Sequence, residues 1–210
     1  LKESHKHGAI LKVIFENDII VRNNLYFATN GYIDLNNRTM TIENWSNNKI
    51  DENIDIDKFI ILGKGKITIE GVDAGEKAIF PVALSSNKED YSRVDIVNLD
   101  PGNTSFTVHD LSNSLYTDGT PDGSSGGMAI SEKAVNLTYN ITSNSTNAIV
   151  TFYWDTIKEL KDFDRTLCQL NHYNSSVGWE LMGSIGPSQN YRDAVFFKSD
   201  IFTGFSPGAV

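Results

Sequence analysis

The chain has 210 residues, a hydrophobic fraction of 40% and a charged fraction of 21%, the composition of an ordinary globular protein able to build a core without staples. Its net charge of −9, with no offsetting Lys/Arg stripe, argues against nucleic acid and anionic lipid as partners. No apolar run approaches the roughly 18 residues of a membrane-spanning helix, and the single cysteine, Cys168, excludes an internal disulfide and a thiolate metal cluster.

Residues 2–7 are polar, with His5 and His7 as a weak metal-binding pair. Ala9, Leu11, Val13 and Phe15 then alternate with polar positions such as Lys12 and Glu16. This predicts a strand, continued by Ile19 and Val21. A terminal strand of this kind has something to pair with, either its own domain or a neighbour.

Between residues 23 and 69, short β-branched and aromatic runs are separated by Asn, Asp and Gly. The pattern predicts a ladder of short strands, solenoid-like in character, although no fixed repeat length emerges. Trp45 stands between polar neighbours in Asn44-Trp45-Ser46, which marks it as an exposed ring and the best candidate for stacking on a glycan. Asp51, Asp55 and Asp57 fall on one face of a strand, an arrangement typical of a solvated face.

At residues 78–84 the character changes. Ala78, Phe80, Val82 and Leu84 share a face, and Pro81 restricts the strand to an edge or a bulge. A loop rich in Gly, Ser and Asp follows at residues 117–127, where Asp118 and Asp122 are candidate calcium ligands, although the spacing fits no EF-hand and such loops are mostly turns.

Residues 134–154 alternate strictly. Val135, Leu137, Tyr139 and Ile141 point one way, five residues rich in Ser, Thr and Asn reverse the chain, and Ala148, Val150, Phe152 and Trp154 share the next face. This predicts a β-hairpin. Residues 157–170 read either as a short helix capped by Asp155 or Thr156, or as a loop with one or two turns. In a helix Cys168 and His172 would share a face; in a strand two pleats separate them, and a buried, inert thiol is the expectation. Three further strands close the chain at 179–184, 194–198 and 201–205.

The residue order from about 79 to 210 resembles a module of secreted and surface-exposed Bacteroidota proteins, many exported by type IX secretion. Four points carry the resemblance: Phe80-Pro81-Val82, the paired runs at 135–154, Gly178-Trp179, and Phe205-Ser206-Pro207. The chain departs from that pattern at Ala83 and Gly208. The resemblance implies a β-sandwich at the cell surface, usually without catalytic residues, and supplies no site. Asp155-Thr156-Ile157 is similar to the O-glycosylation acceptor motif of that phylum, with Thr156 as acceptor.

The expectation is therefore an all-β chain in three parts: an N-terminal strand (1–22) open to exchange with a neighbouring subunit, a short-strand ladder (23–78) and an antiparallel β-sandwich (79–210). No nucleophile elbow or phosphate loop is present, and no acidic pair lies in apolar surroundings. The function expected is a non-catalytic extracellular structural or adhesive protein that self-assembles by strand addition, with Ala9, Leu11, Val13, Phe15, Ile19 and Val21 as the assembling strand. A carbohydrate-binding module and a secreted hydrolase are the alternatives. No cofactor is expected beyond the candidate calcium, and the partners expected are copies of the chain or glycans, without membrane insertion.

Overall fold

A computed structural model of the chain describes residues 11–46, 50, 54–55, 57–112, 116–119, 123–145, 147–174, 176–186, 192–195 and 199–205. These are all-β, with short 3-10 turns as the helical content. His5, His7, Ala9, Asp51 and Asp122 lie outside the described residues.

The first strands are β1 (Leu11–Ile14), β2 (Ile19–Val21), β3 (Gly31–Asp34), β4 (Thr39–Ile42), β5 (Lys58–Ile61) and β6 (Lys66–Val72). They pair in parallel as two ladders, β1-β3-β5 and β2-β4-β6. The chain thus winds as a short β-solenoid, each coil giving one strand to each ladder. Leu11 pairs with Gly31 and Gly31 with Lys58, steps of 20 and 27 residues, so the coils are of unequal length.

Coils turn at a shared corner. The N–H of Phe15 donates to Asp34 O at 3.0 Å, that of Leu35 to Ile61 O at 3.0 Å and that of Leu62 to Ala83 O at 3.2 Å, which stacks one apolar side chain per coil. The Asn and Asp residues around this corner satisfy backbone groups of the adjacent coil. Asn37 Oδ1 accepts from Lys64 N–H at 2.9 Å, Asp18 Oδ1 accepts from Thr39 N–H at 2.8 Å, and Asn36 Nδ2 donates to Phe15 O at 3.2 Å. Asn36 and Asn37 sit at φ 50° and 63°, a region Asn tolerates better than most residues. Asn36 and Asn37 are therefore corner residues.

The chain continues through β7 (Lys77–Phe80), β8 (Val82–Ala83), β9 (Val94–Asn98), β10 (Thr104–Ser112), β11 (Thr138–Ser143), β12 (Ala148–Phe152), β13 (Cys168–Asn174), β14 (Gly178–Gly186), β15 (Arg192–Val195) and β16 (Ser199–Phe205). Three sheets result, in the orders β1-β3-β5-β8, β14-β13-β16-β11-β10-β6-β4-β2 and β15-β12-β9-β7. Pro81 marks the crossing between β7 in the third sheet and β8 in the first; it has no N–H to offer a ladder, and its carbonyl accepts from Ile60 N–H at 2.8 Å.

β6 belongs to both architectures, pairing in parallel with β4 and antiparallel with β10. Its register against β10 shifts between Ile69 and Val72, where Gly71 adopts φ 74°. This bulge lets Ile67, Ile69 and Val72 all point inward.

Val135, Leu137, Tyr139, Ile141, Ala148, Val150 and Phe152 are buried as the alternation predicts and Trp154 is half-buried, but the two strands do not form a hairpin. β11 pairs with β10 and β16 in one sheet, whereas β12 pairs with β9 and β15 in another. The segment is an arch that crosses the sandwich, with the Tyr139 and Phe152 rings meeting between the layers at 4.5 Å. Of the two readings of residues 157–170, the turns are what forms: single 3-10 turns at Thr156–Lys158 and Arg165–Leu167, with Asp155 capping the first by accepting from Ile157 N–H at 2.9 Å. One core cluster runs from Ile33 in the solenoid to Leu170 in the sandwich.

Candidate functional site

The inward columns of the solenoid change in exposure at the first described coil. Val13 aligns with Ile33, Ile60 and Val82 through the parallel registers. Ile33 is 8% exposed and Ile60 and Val82 are fully buried, yet Val13 is 38% exposed because no further coil covers the first one among the described residues. Ile19 and Val21 stand in the same relation to the buried Met40 and Ile42. Leu11, Ile14 and Ile20 are each more than half exposed.

Of the residues expected to assemble, Leu11 and Val13 therefore lie in β1, Ile19 and Val21 in β2, and Phe15 at the corner between them. Both strands pair within sheets of their own chain, and among the described residues each is an end strand there. Leu11 and Phe15 donate their N–H groups towards the β3 side, at 3.4 and 3.0 Å, so the N–H groups of Lys12 and Ile14 point to the free edge. Ile14 and Ile20 were not among the predicted residues, because alternation places them on the opposite face from Leu11 and Val13.

A second feature lies on the outer face of the β1-β3-β5 sheet. The Lys12 ammonium sits 5.7 Å from the centre of the Tyr32 ring, which stacks on Phe59 at 5.7 Å and 10°; Tyr91 follows at 6.3 Å. Phe59 is buried within this column, so no continuous ring platform faces solvent. Parallel in-register pairing brings Lys12, Tyr32 and Phe59 together across 47 residues, a relation that unequal coil lengths conceal in the sequence.

Trp45 overturns the expectation of an exposed ring. It is 1% exposed, its indole N–H donates to Lys77 O at 3.0 Å, and its backbone N–H donates to Glu70 O at 2.8 Å. Asn44 faces outward and the Ser46 hydroxyl donates to Gly71 O at 3.1 Å, while the ring turns into the core, and a ring so placed offers no face to a sugar.

Asp118 serves its own loop: Oδ2 accepts from the N–H groups of Ser125 at 3.0 Å and Gly127 at 2.9 Å. No group of three His, Cys, Asp or Glu suited to a metal occurs among the described residues. The loop packs on the β13-β14 pair, where Trp179 Nε1 donates to Tyr116 O at 3.0 Å and lies edge-on to Tyr173 at 5.4 Å. Thr156 is exposed at the start of its 3-10 turn. Cys168 is buried, and with His172 on the same strand two pleats separate the pair.

Charged groups on the third sheet pair with one another. Asp95, 3% exposed, accepts from Arg93 Nε at 2.6 Å and Arg93 Nη2 at 2.8 Å, with Lys77 at 3.5 Å. The Arg93 guanidinium lies 5.2 Å from the Tyr153 ring centre. Near the junction of solenoid and sandwich, Lys158 and Asp90 form a buried ion pair. No family model, curated protein or solved structure matches this chain.

Proposed function

We propose that this chain is a non-catalytic extracellular structural or adhesive protein that associates with copies of itself through the open first coil of its solenoid. The observation that carries the reading is the rise in exposure along each inward column at that coil, with Val13 at 38% where its equivalents are buried. A first coil that no other described residue covers exposes apolar side chains and backbone groups together, and strand addition satisfies both. The likeness of residues 79–210 to Bacteroidota surface modules supports a place at the cell surface and export by the type IX route.

The test is sedimentation velocity of the whole chain over a concentration series, with Ile14→Pro and Ile20→Lys as variants. Proline at position 14 removes a free-edge N–H and leaves the bonds from Leu11 and Phe15 to the β3 side in place. Lysine at position 20 replaces an exposed side chain. Concentration-dependent growth in the parent chain, reduced in both variants, is the expected result. A parent chain monomeric throughout, or association unchanged in the variants, overturns the proposal. Deleting residues 1–21 is the poorer test, since it would uncover Ile33, Met40 and Ile42 as a new open coil.

A further inference from the structure

We propose that Lys158 and Asp90 are the site of an intramolecular amide cross-link, a covalent staple that the single cysteine of this chain cannot supply. The two side chains are only 10% and 12% exposed and lie in direct contact through Nζ and Oδ1, from positions 68 residues apart. Their main chains are held as firmly as their tips. Lys158 donates its N–H to Asp155 O at 2.9 Å and accepts from Asn136 N–H at 2.6 Å. Asp90 donates its N–H to Asn87 O at 3.0 Å, and its carbonyl accepts from Leu84 N–H at 3.2 Å and from Ser92 Oγ at 3.1 Å.

The remaining carboxylate oxygen, Oδ2, accepts a hydrogen bond from Ser85 Oγ. That bond polarises the carboxyl group and holds the oxygen on which charge grows as the carbon is attacked. The reaction is a condensation. A proton passes from the ammonium to Oδ1, the freed Nζ lone pair adds to Cγ, and the Cγ–Oδ1 bond breaks. Two of the three ammonium protons leave with Oδ1 as water, and the third stays on the new amide nitrogen. The opposite charges cancel, so a buried ion pair becomes a buried neutral amide, which removes the cost of keeping two ions out of water. In water such a condensation is disfavoured; fixing both groups in contact replaces a bimolecular encounter with an effectively unimolecular one. No oxidant, metal or second substrate enters the balance.

The bond would tie the turn after β8, at the end of the solenoid, to the turn after β12 in the sandwich. The test is intact-mass spectrometry of the denatured chain followed by peptide mapping. The expected result is a mass one water, about 18 Da, below the sequence value, with a branched peptide joining Asp90 to Lys158. Lys158→Arg keeps the cation beside Asp90 but presents a guanidinium, and its mass should return to the sequence value. A parent mass with no deficit overturns the proposal. So does a deficit that persists in Lys158→Arg, or one that maps to Asp118-Gly119 or Asp122-Gly123, where cyclisation to a succinimide also loses water.

Discussion

Tyr91 is a residue whose polar atom works against the fold. No hydrogen bond of good geometry reaches its buried hydroxyl, although the Arg93 guanidinium lies near enough to oppose the shift; burial pushes the phenol from 10.0 up to about 12 against that pull. A folded-state value above the unfolded one means that the native chain holds this proton more tightly. The associated stability is fully present below pH 10.0 and is lost as pH rises through about 12. Burial raises the Tyr139 phenol as well, and there the hydroxyl donates to Tyr153 O at 2.7 Å. Replacing Tyr91 by Phe removes a buried oxygen that lacks a well-aligned hydrogen bond and keeps the ring against Phe59. Urea denaturation at pH 7 should show the Tyr91→Phe chain more stable by about 1 kcal/mol, and the alkaline loss of stability should shrink while the Tyr139 share persists. A variant less stable at pH 7 would mean that the hydroxyl does find a partner in solution. Trp45 is the complementary case, a ring buried between polar neighbours in sequence. Successive side chains of a chain that is extended or turning point to different sides, so polar neighbours do not make a ring exposed: Asn44, at φ 54°, faces out as the indole goes in.

At the scale of elements, alternation was a faithful guide to which side chains are buried and a poor one to what each strand pairs with. Val135, Leu137, Tyr139 and Ile141 are all buried, as are Ala148, Val150 and Phe152, yet their strands lie in different sheets. A hairpin and an arch share the same period of two and the same polar reversal. They differ in whether the chain turns within a sheet or between sheets, which is a tertiary property. The reversal itself carries a trace of the arch, since Ser145 is 2% exposed and its Oγ donates to Asp100 Oδ2 at 3.0 Å, burial that a solvated hairpin tip would not show. The solenoid was visible as a ladder of short strands, but the 20- and 27-residue steps hid its repeat. The loop residues 116–119 and 123–130 show the opposite failing, for their composition reads as free chain and their geometry is docked. Gly119 has φ 69°, and a Cβ there would lie 2.2 Å from Tyr173 Cγ. Gly119→Ala should therefore cost about 1–3 kcal/mol through strain and clash. Hydrogen exchange should show the loss concentrated at the amides of Thr117 and Gly127, which donate to Met128 O and Asp118 Oδ2. Unchanged protection at these two amides would mean that the loop does not rest on Tyr173.

At the scale of the molecule, the question is whether solenoid and sandwich are two bodies or one. Stacked coils are held by nearest-neighbour contacts and can lose end coils one at a time. Here, however, β6 is simultaneously the last long rung of the β2-β4-β6 ladder and a strand of the antiparallel sheet, and the apolar cluster passes from Met40 and Ile42 through Ile67 and Ile69 to Phe106 and Ile141 without interruption. Unravelling the coils therefore strips one edge of the sandwich, and opening the sandwich uncovers the coils. Met40 is fully buried and lies in the inward column between Ile19 and Ile67, so Met40→Ala should cost about 2–5 kcal/mol. If the two parts fold as one unit, that loss is global. Amide exchange under conditions where global opening dominates should then accelerate equally in β4 and in β11, although β11 has no contact with the substituted residue in its ladder. Faster exchange confined to β4, with β11 protection unchanged, would show that the coils open independently and that sharing a strand does not couple them. The first coil is the exception: with one ladder neighbour per strand among the described residues and exposed Leu11, Ile14 and Ile20, it should exchange ahead of β4 in the free chain, and association through its edge is what would bring its protection up to that of the coils behind it.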